Sequence, residues 1–233
     1  IILCGHGSRN QSYLEDFLVL KNKISQKLKS FNVHHCFIEI NKPSIRSCLN
    51  KLTKNYEKIF FFPLLIFEGK HMVNDIRREI KKLPSIHLKK IFLIDKISLL
   101  NEVLPIVRKI IKKKNPKKFD LLITSCSISK KIRVKKELEI YTKKLSKLLS
   151  IKGNIFHFVG DEDDVLKKIN ASKIKTEKKL LHPIFFFNGY LYKKNVRTIS
   201  QTVDTFNLKP ISHYSEIIDL LSEKLVNSIR ILD

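Results

Sequence analysis

The chain has 233 residues, of which 43% are hydrophobic and 29% charged, and its formal net charge is +24. This length is enough for one large or two small domains with a buried core. No run of about 18 apolar residues is present, which argues against a membrane-spanning helix, and the first residues lack the basic region and cleavage site of a secretory signal. We therefore expect a globular cytoplasmic protein. Because the chain begins with Ile1, we also expect that a start methionine and a few residues precede it.

The positive charge is compatible with nucleic acid, a membrane surface or an acidic small molecule as a partner. However, the lysines are spread along whole predicted helices, such as "KNKISQKLKS" and "KKELEIYTKKLSKLLS", and do not gather in one arm. Lys, Ile, Asn and Phe are abundant and Gly is scarce, a bias that A/T-rich coding also produces. We therefore interpret most of the lysines as solvated helix faces.

Short apolar runs alternate with longer amphipathic segments, a pattern typical of α/β proteins with parallel strands. After the first strand, the loop Gly5–Arg9 leads into a helix for which Ser12 and Glu15 predict a capping box. In chain order, the predicted elements of the first half are strand "IILC", a helix with Leu14, Phe17, Leu18, Ile24 and Leu28 at helical spacing, strand "VHHCFIEI", helix "PSIRSCLNKL" from Pro43, strand "KIFFFPLLIF", a helix from Asn74, strand "KIFLID" and helix "SLLNEVLPIVRKIIKK".

The run "KKKNPKK" at residues 112–118 combines charge with Asn and Pro and is predicted to be a linker. After it the pattern starts again: "LLITSCSI" matches "IILCGHGS", and "HPIFFFNGYL" matches "FPLLIFEGKH". Cys126 then falls opposite His6, and Pro183 falls opposite Pro63, each pair 120 residues apart. "KPISHYSEIIDLL" likewise repeats the pattern of "KKIFLIDKISLL". One displacement over three segments predicts two copies of one α/β unit.

We therefore predict two similar α/β domains, residues 1–114 and 115–233, each a parallel sheet flanked by helices, with a cleft between them. In open α/β sheets the ligand lies beyond the carboxyl ends of the strands. His6 and His71 follow such ends and Glu39 lies near another, so all three should converge on the cleft. In the second copy, the positions that correspond to His6, His71 and Glu39 hold Cys126, Leu191, and Val159 or Gly160.

Two imidazoles and one carboxylate that share a cleft suit a divalent first-row metal such as Fe, Co, Ni or Zn. Three protein ligands leave coordination positions open, and neutral histidine also accepts protons near neutral pH. A hydrogen-bonded loop histidine is the alternative interpretation. The four cysteines include no C-x-x-C pair and no glycine-rich phosphate loop is present, so the sequence predicts no zinc motif, redox motif or nucleotide site.

Three segments, "LCGHGSRN", "CFIEINKP" and "PLLIFEGKHMVNDI", resemble in this order and spacing the signature segments of one enzyme family. That family is the class II sirohydrochlorin chelatases, the CbiX-type cobaltochelatases and their ferrochelatase relatives. The G-H-G-S-R loop and the later G-x-H are the most specific parts of the match. The resemblance is close in the first half and looser in the second, and the duplicated layout is similar to the long two-domain bacterial form.

The resemblance implies ATP-independent insertion of Co²⁺, Fe²⁺ or Ni²⁺ into sirohydrochlorin, an octacarboxylate tetrapyrrole, with no tightly bound cofactor. Cobalt belongs to cobalamin synthesis, iron to sirohaem synthesis and nickel to a related nickel tetrapyrrole pathway. His6 and His71 would bind the incoming metal and accept the two pyrrole protons, and Glu39 would complete the metal site. Ser8 and Arg9 would lie at the mouth of the cleft, where Arg9 suits substrate carboxylates; an exposed arginine at a helix entry is the alternative.

Other classes of function remain open at this point. A non-catalytic tetrapyrrole or metal carrier would use the same cleft and the same residues. A nucleic-acid-binding module is suggested by charge alone, without a recognisable motif. A serine hydrolase is excluded for Ser8 because G-H-G-S-R is not G-x-S-x-G. We expect a monomer with no nucleic-acid or membrane partner, because the second copy can replace a partner subunit.

Overall fold

Strands and helices alternate along the chain in a computed structural model that describes residues 1–67, 72–114, 119–129, 131–171 and 178–232. The strands are β1 (Ile2–Gly5), β2 (His34–Phe37), β3 (Ile59–Pro63), β4 (Ile91–Leu93), β5 (Leu121–Ser127), β6 (Gly153–Val159), β7 (Lys179–Pro183) and β8 (Phe206–Asn207). The helices are α1 (Gln11–Lys27), α2 (Ile45–Leu52), α3 (Met72–Lys81), α4 (Ser85–Leu88), α5 (Leu104–Lys114), α6 (Ile132–Leu148), α7 (Glu162–Ala171), α8 (Tyr190–Thr202) and α9 (Ser215–Leu232). A π-helical turn, Leu99–Val103, leads into α5, and a 3₁₀ turn, Ile211–His213, precedes α9.

The chain divides into two compact units that do not coincide with its two halves. The first unit is Ile1–Ile97 with Tyr214–Asp233, and the second unit is Ser98–His213. These units differ from the predicted bounds, 1–114 and 115–233, in the placement of two helices. Helix α5 belongs to the second unit because it packs against α6, and α9 belongs to the first because it packs against α1. Both helices have a buried apolar face that these contacts cover.

The first unit contains a parallel sheet in the order β2-β1-β3-β4. Because side chains alternate along a strand, Cys4, Cys36 and Phe61 point to one face, where they pack with apolar residues of α2 and α3. The opposite face carries Phe37, whose ring lies 4.8 Å from that of Phe17 in α1. Helices therefore cover both faces of the sheet, which confirms the predicted fold.

The second unit repeats this architecture with a parallel sheet in the order β6-β5-β7-β8. One face packs against α7 and α8 through Ile123, Val165, Leu181 and Ile199. On the other face, Thr124 of β5 reaches Thr142 of α6 at 2.5 Å between the hydroxyl oxygens. Both units are thus doubly covered parallel sheets, as the alternating sequence pattern predicts.

Several predicted boundaries differ from the structure for local reasons. The cap of α1 is Asn10, whose side chain accepts a hydrogen bond from Ser12 N, so the capping box predicted at Ser12 and Glu15 is wrong. Helix α2 begins after Ser44, whose hydroxyl caps Ser47 N, and Pro43 precedes that cap. No helix in the described part of the chain has the length and apolar character that a membrane crossing requires.

Candidate metal centre

The imidazole of His6 and the carboxylate of Glu39 lie side by side at the carboxyl edge of the first sheet. His6 follows β1, and Glu39 lies two residues after β2, the strand that pairs with β1. The backbone ladder continues past both strands, because Glu39 N donates to the His6 carbonyl at 3.0 Å. His6 Nε2 is 3.2 Å from Glu39 Oε1, and the side chains are 47% and 55% exposed. An imidazole and a carboxylate, two groups of the kind that bind metals, are thus adjacent and open to solvent.

Gly7 allows the two loops to approach this closely. Its φ is +100°, and a Cβ at this position would lie 1.9 Å from the Glu39 carbonyl oxygen. Since the obstacle is backbone and not the end of a flexible side chain, any larger residue would push the two loops apart. The glycine after His6 is therefore required by the approach of the Glu39 loop as well as by its own backbone conformation.

Hydrogen bonds from the next residues fix the course of the His6 loop. Ser8 N donates to the side-chain carbonyl of Asn41 at 2.7 Å, and Asn41 N donates to the Glu39 carbonyl at 2.7 Å. Within the loop, Ser8 Oγ accepts from Asn10 N at 3.1 Å. The chain therefore reaches the start of α1 with backbone donors satisfied by polar side chains of the two loops.

Helix α1 contributes a further contact to the same loop through Tyr13. Gly7 N donates to the Tyr13 hydroxyl at 3.2 Å. Burial raises the pKa of Tyr13 to about 12, although the hydrogen bond from Gly7 acts in the opposite direction. The phenol therefore stays protonated at neutral pH, and it serves the loop as a neutral hydrogen-bonding group.

The separation of the two side chains suits a single ion. Metal–ligand distances of about 2.0–2.2 Å place neighbouring ligands about 3.0–3.4 Å apart at octahedral to tetrahedral angles, and the observed distance is 3.2 Å. No cluster of three or more His, Cys, Asp or Glu residues that could hold a metal is found among the described residues. The third predicted ligand, His71, lies outside them, so two of the three predicted ligands are brought together in the structure.

The predicted substrate-binding residues, Ser8 and Arg9, follow His6 closely in the same loop. Arg9 is exposed and stands just before the cap of α1, while Ser8 is half-buried. The Ser8 hydroxyl oxygen already accepts a hydrogen bond within the loop, so its proton is the part left to donate to a ligand. The guanidinium of Arg9 has the exposure that binding a carboxylate from solvent requires.

The register of the second sheet corrects the predicted counterpart of His6. Cys4 pairs with Pro63 across β1 and β3, whereas Ser125 pairs with Pro183 across β5 and β7. If Pro183 is equivalent to Pro63, then Ser125 is equivalent to Cys4. His6, which follows Cys4 by two residues, therefore corresponds to Ser127 rather than to Cys126. The burial agrees, because Cys126 is completely buried whereas Ser127 and His6 are exposed.

The same ladders place the counterparts of Glu39 and of strand β4 in the second unit. In the shared register Gly160, with a φ of +117°, corresponds to Glu39, one of the two positions predicted. Strand β8 is Phe206–Asn207, so the counterpart of β4 precedes "KPISHYSEIIDLL", and the third predicted repeat match is wrong. The constant displacement of 120 residues does not extend to these strands, because the connection before β8 differs in length from the connection before β4.

A buried polar chain in the second unit was not predicted from the sequence. Ser125 Oγ donates to Asn195 Oδ1 at 2.7 Å, and Asn195 Nδ2 lies 3.2 Å from His157 Nε2. His182 is also buried, and its Nε2 lies 2.9 Å from the Tyr141 hydroxyl. Ser125 and His157 lie on two strands and Asn195 on α8, so no local pattern in the sequence connects them.

Comparison with known proteins identifies the part of the chain that carries this centre. The family model described as CbiX matches residues 1–114. Residues 1–114 belong to the CbiX family. This CbiX region contains His6, Glu39 and His71, and it confirms the family that the three sequence segments predicted. A search of the curated proteins found no match.

Solved structures match nearly the whole chain. SirB from Bacillus subtilis with Fe³⁺ is 17% identical, with a TM-score of 0.79 over 97% of this chain and 94% of that one. SirB from Bacillus subtilis subspecies spizizenii, a sirohydrochlorin chelatase in complex with cobalt, is 16% identical, with a TM-score of 0.76 over 97% and 93%. CbiX, the terminal enzyme for biosynthesis of sirohaem in denitrifying bacteria, is 11% identical, with a TM-score of 0.70 over 97% of both chains. These matches extend the CbiX-like fold to the second unit.

Proposed function

We propose that the protein inserts a divalent metal, Co²⁺ or Fe²⁺, into sirohydrochlorin without ATP, as a chelatase of cobalamin or sirohaem biosynthesis. The observation that carries this proposal is the exposed His6–Glu39 pair, placed by a region that belongs to the CbiX family. The SirB structures with Fe³⁺ and with cobalt support it, because they share the fold over 97% of the chain. The metal is a substrate of this reaction and not a resident cofactor.

The proposed chemistry divides between delivery of the metal and removal of two protons. His6 and Glu39 hold the incoming ion with His71, and the pyrrole nitrogens replace these ligands one after another. His6 and His71 then accept the two N–H protons, since an imidazole released from a metal is a base at neutral pH. The carboxylate of Glu39, 3.2 Å from His6 Nε2, is close enough to accept a hydrogen bond from that nitrogen once it carries a proton.

The charge of the chain suits the proposed substrate. Sirohydrochlorin carries eight carboxylates, and a formal net charge of +24 attracts such an anion over a distance of several ångströms. Ser8 and Arg9 contact the carboxylates nearest the metal centre, Arg9 through paired hydrogen bonds. The second unit lacks the polar triad, because Ser127 and Gly160 stand where His6 and Glu39 would be. Its role in this proposal is structural or confined to substrate contacts.

We further propose a cytoplasmic monomer with no nucleic-acid or membrane partner, since the lysines are distributed along helices.

The test is anaerobic incubation of the purified protein with sirohydrochlorin and Co²⁺, Fe²⁺ or Ni²⁺ in turn, followed by absorption spectroscopy. The controls are an enzyme-free reaction, His6→Ala and His71→Ala, and His213→Ala as a matched change of an exposed histidine outside the centre. We expect metallation above the enzyme-free rate in the wild type and in His213→Ala, and its loss in the other two variants.

Three results would contradict the proposal in different ways. If tetrapyrrole binds but is metallated only at the enzyme-free rate with every ion, the protein is a carrier. If metallation persists in His6→Ala and His71→Ala, the chemistry lies elsewhere in the chain. Sirohydrochlorin that does not bind at all removes both the chelatase and the carrier.

A further inference from the structure

We propose that Asn41 is a positioning residue of the metal centre, which holds His6 and Glu39 in the geometry that binds an ion. This inference rests on the proposed function. Asn41 lies two residues after Glu39 and is half-buried, so its amide is not a free surface group. It touches no reacting atom in this proposal, and its effect is transmitted through the two loops.

Asn41 makes two short hydrogen bonds, one across to the His6 loop and one within its own loop. Its side-chain oxygen accepts from Ser8 N in the His6 loop at 2.7 Å, and its own N–H donates to the Glu39 carbonyl at 2.7 Å. Glu39 N in turn donates to the His6 carbonyl at 3.0 Å. These three hydrogen bonds connect the backbone around His6 with the backbone around Glu39.

Each of the two loops contains a residue with a positive φ angle. Ile40, between Glu39 and Asn41, has a φ of 65°, a left-handed conformation that is unfavourable for a β-branched residue. Gly7, on the other loop, has a φ of +100°. Both ligands are exposed, so the bond from Ser8 N to the Asn41 side chain supports the bond from Glu39 N to the His6 carbonyl in holding the two loops together.

The experiment compares Asn41→Ala, which removes the acceptor, with Asn41→Asp, which keeps an oxygen in the same place. Asn50→Ala, a change of an exposed asparagine on α2, is the matched control. Two readouts are made: titration of each protein with Co²⁺ alone, followed by the visible absorption of the bound ion, and kcat and KM for sirohydrochlorin. Circular dichroism melting verifies that each variant is folded.

We expect Asn41→Ala to bind Co²⁺ about 10- to 100-fold more weakly, the range typical for groups that orient metal ligands, and to lose kcat with little change in KM. Asn41→Asp should recover most of the affinity, and Asn50→Ala should match the wild type. If Asn41→Ala does not fold, Asn41→Gln, whose longer side chain displaces the acceptor, replaces it in the comparison.

Wild-type Co²⁺ affinity in folded Asn41→Ala would overturn the inference, and so would an Asn41→Asp variant no better than Asn41→Ala. The Co²⁺ titration is independent of turnover. If the wild type binds Co²⁺ but metallates no tetrapyrrole, the proposed function fails while the titration still decides the role of Asn41.

Discussion

Replacing Gly7 by alanine should separate the cost of an unfavourable backbone angle from the cost of a backbone collision. Gly160 offers the matched change, because its φ of +117° resembles the +100° of Gly7 while a Cβ there would meet nothing within 4 Å. At Gly7 the new Cβ would lie 1.9 Å from the Glu39 carbonyl oxygen. The two alanine variants therefore share the strain and differ in the collision.

The magnitudes follow from these contacts. An alanine forced into positive φ costs about 1–3 kcal/mol at either site. At Gly7 the collision also separates the loops, which breaks the bonds from Glu39 N to the His6 carbonyl and from Ser8 N to Asn41, at about 1 kcal/mol each. Gly7→Ala should thus be less stable than Gly160→Ala by about 2 kcal/mol, or about 4–8 °C in Tm for a chain of this size.

The assays are calorimetric melting for stability and titration with Co²⁺ for the metal centre. Gly7→Ala should lose Co²⁺ affinity as well as stability, whereas Gly160→Ala should keep the affinity of the wild type. Equal destabilisation of the two variants, together with unchanged Co²⁺ binding in Gly7→Ala, would refute the argument that the Glu39 loop requires a glycine at this position.

Two other predictions concern the second unit. Burial lowers the pKa of His182 from 6.5 to about 3. Below about pH 6.5 the unfolded chain therefore binds a proton that the folded chain does not bind. The free energy of unfolding then decreases by about 1.4 kcal/mol for each unit by which the pH is lowered. Between pH 7 and pH 5 the wild type should therefore lose about 2 kcal/mol more than His182→Phe in urea unfolding; parallel pH profiles would disprove this. The corrected register predicts that Cys126→His, at a completely buried position, costs roughly 3 kcal/mol or more, while the exposed Ser127→His stays within about 0.5 kcal/mol. The reverse order in urea unfolding would restore the original alignment.

The pairing of His6 with Glu39 could be predicted because it depends on topology more than on side-chain detail. Residues that follow neighbouring parallel strands meet at one edge of the sheet, and the alternating pattern was enough to place both residues there. The short distance between the two side chains was harder to predict from the sequence. It depends on Gly7 and Asn41, whose roles come from a particular course of two loops that no local pattern in the sequence specifies.

Register was the weakest part of the sequence prediction, for a physical reason. A shift of one residue turns every side chain of a strand to the other face, yet Cys126 and Ser127 are both small and both fit the apolar run that contains them. Pro63 and Pro183 anchored the comparison in β3 and β7, but the spacing between the first and third strands differs by one residue between the copies. The units to which α5 and α9 belong could not be predicted either. The amphipathic pattern of each helix shows that one of its faces is buried, but it does not show which unit buries that face.

The placement of α9 makes the second unit an insertion within the first. The residues that complete the first unit follow the whole of the second unit in the chain, so during synthesis α9 emerges after the second unit. The first unit is therefore incomplete until the end of the chain has been made, in contrast to a domain formed by one continuous segment. A fragment cut after residue 114 would retain the CbiX region but would expose the surface of α1 that α9 covers. A cut at the midpoint of the sequence therefore separates α9 from the unit that it completes.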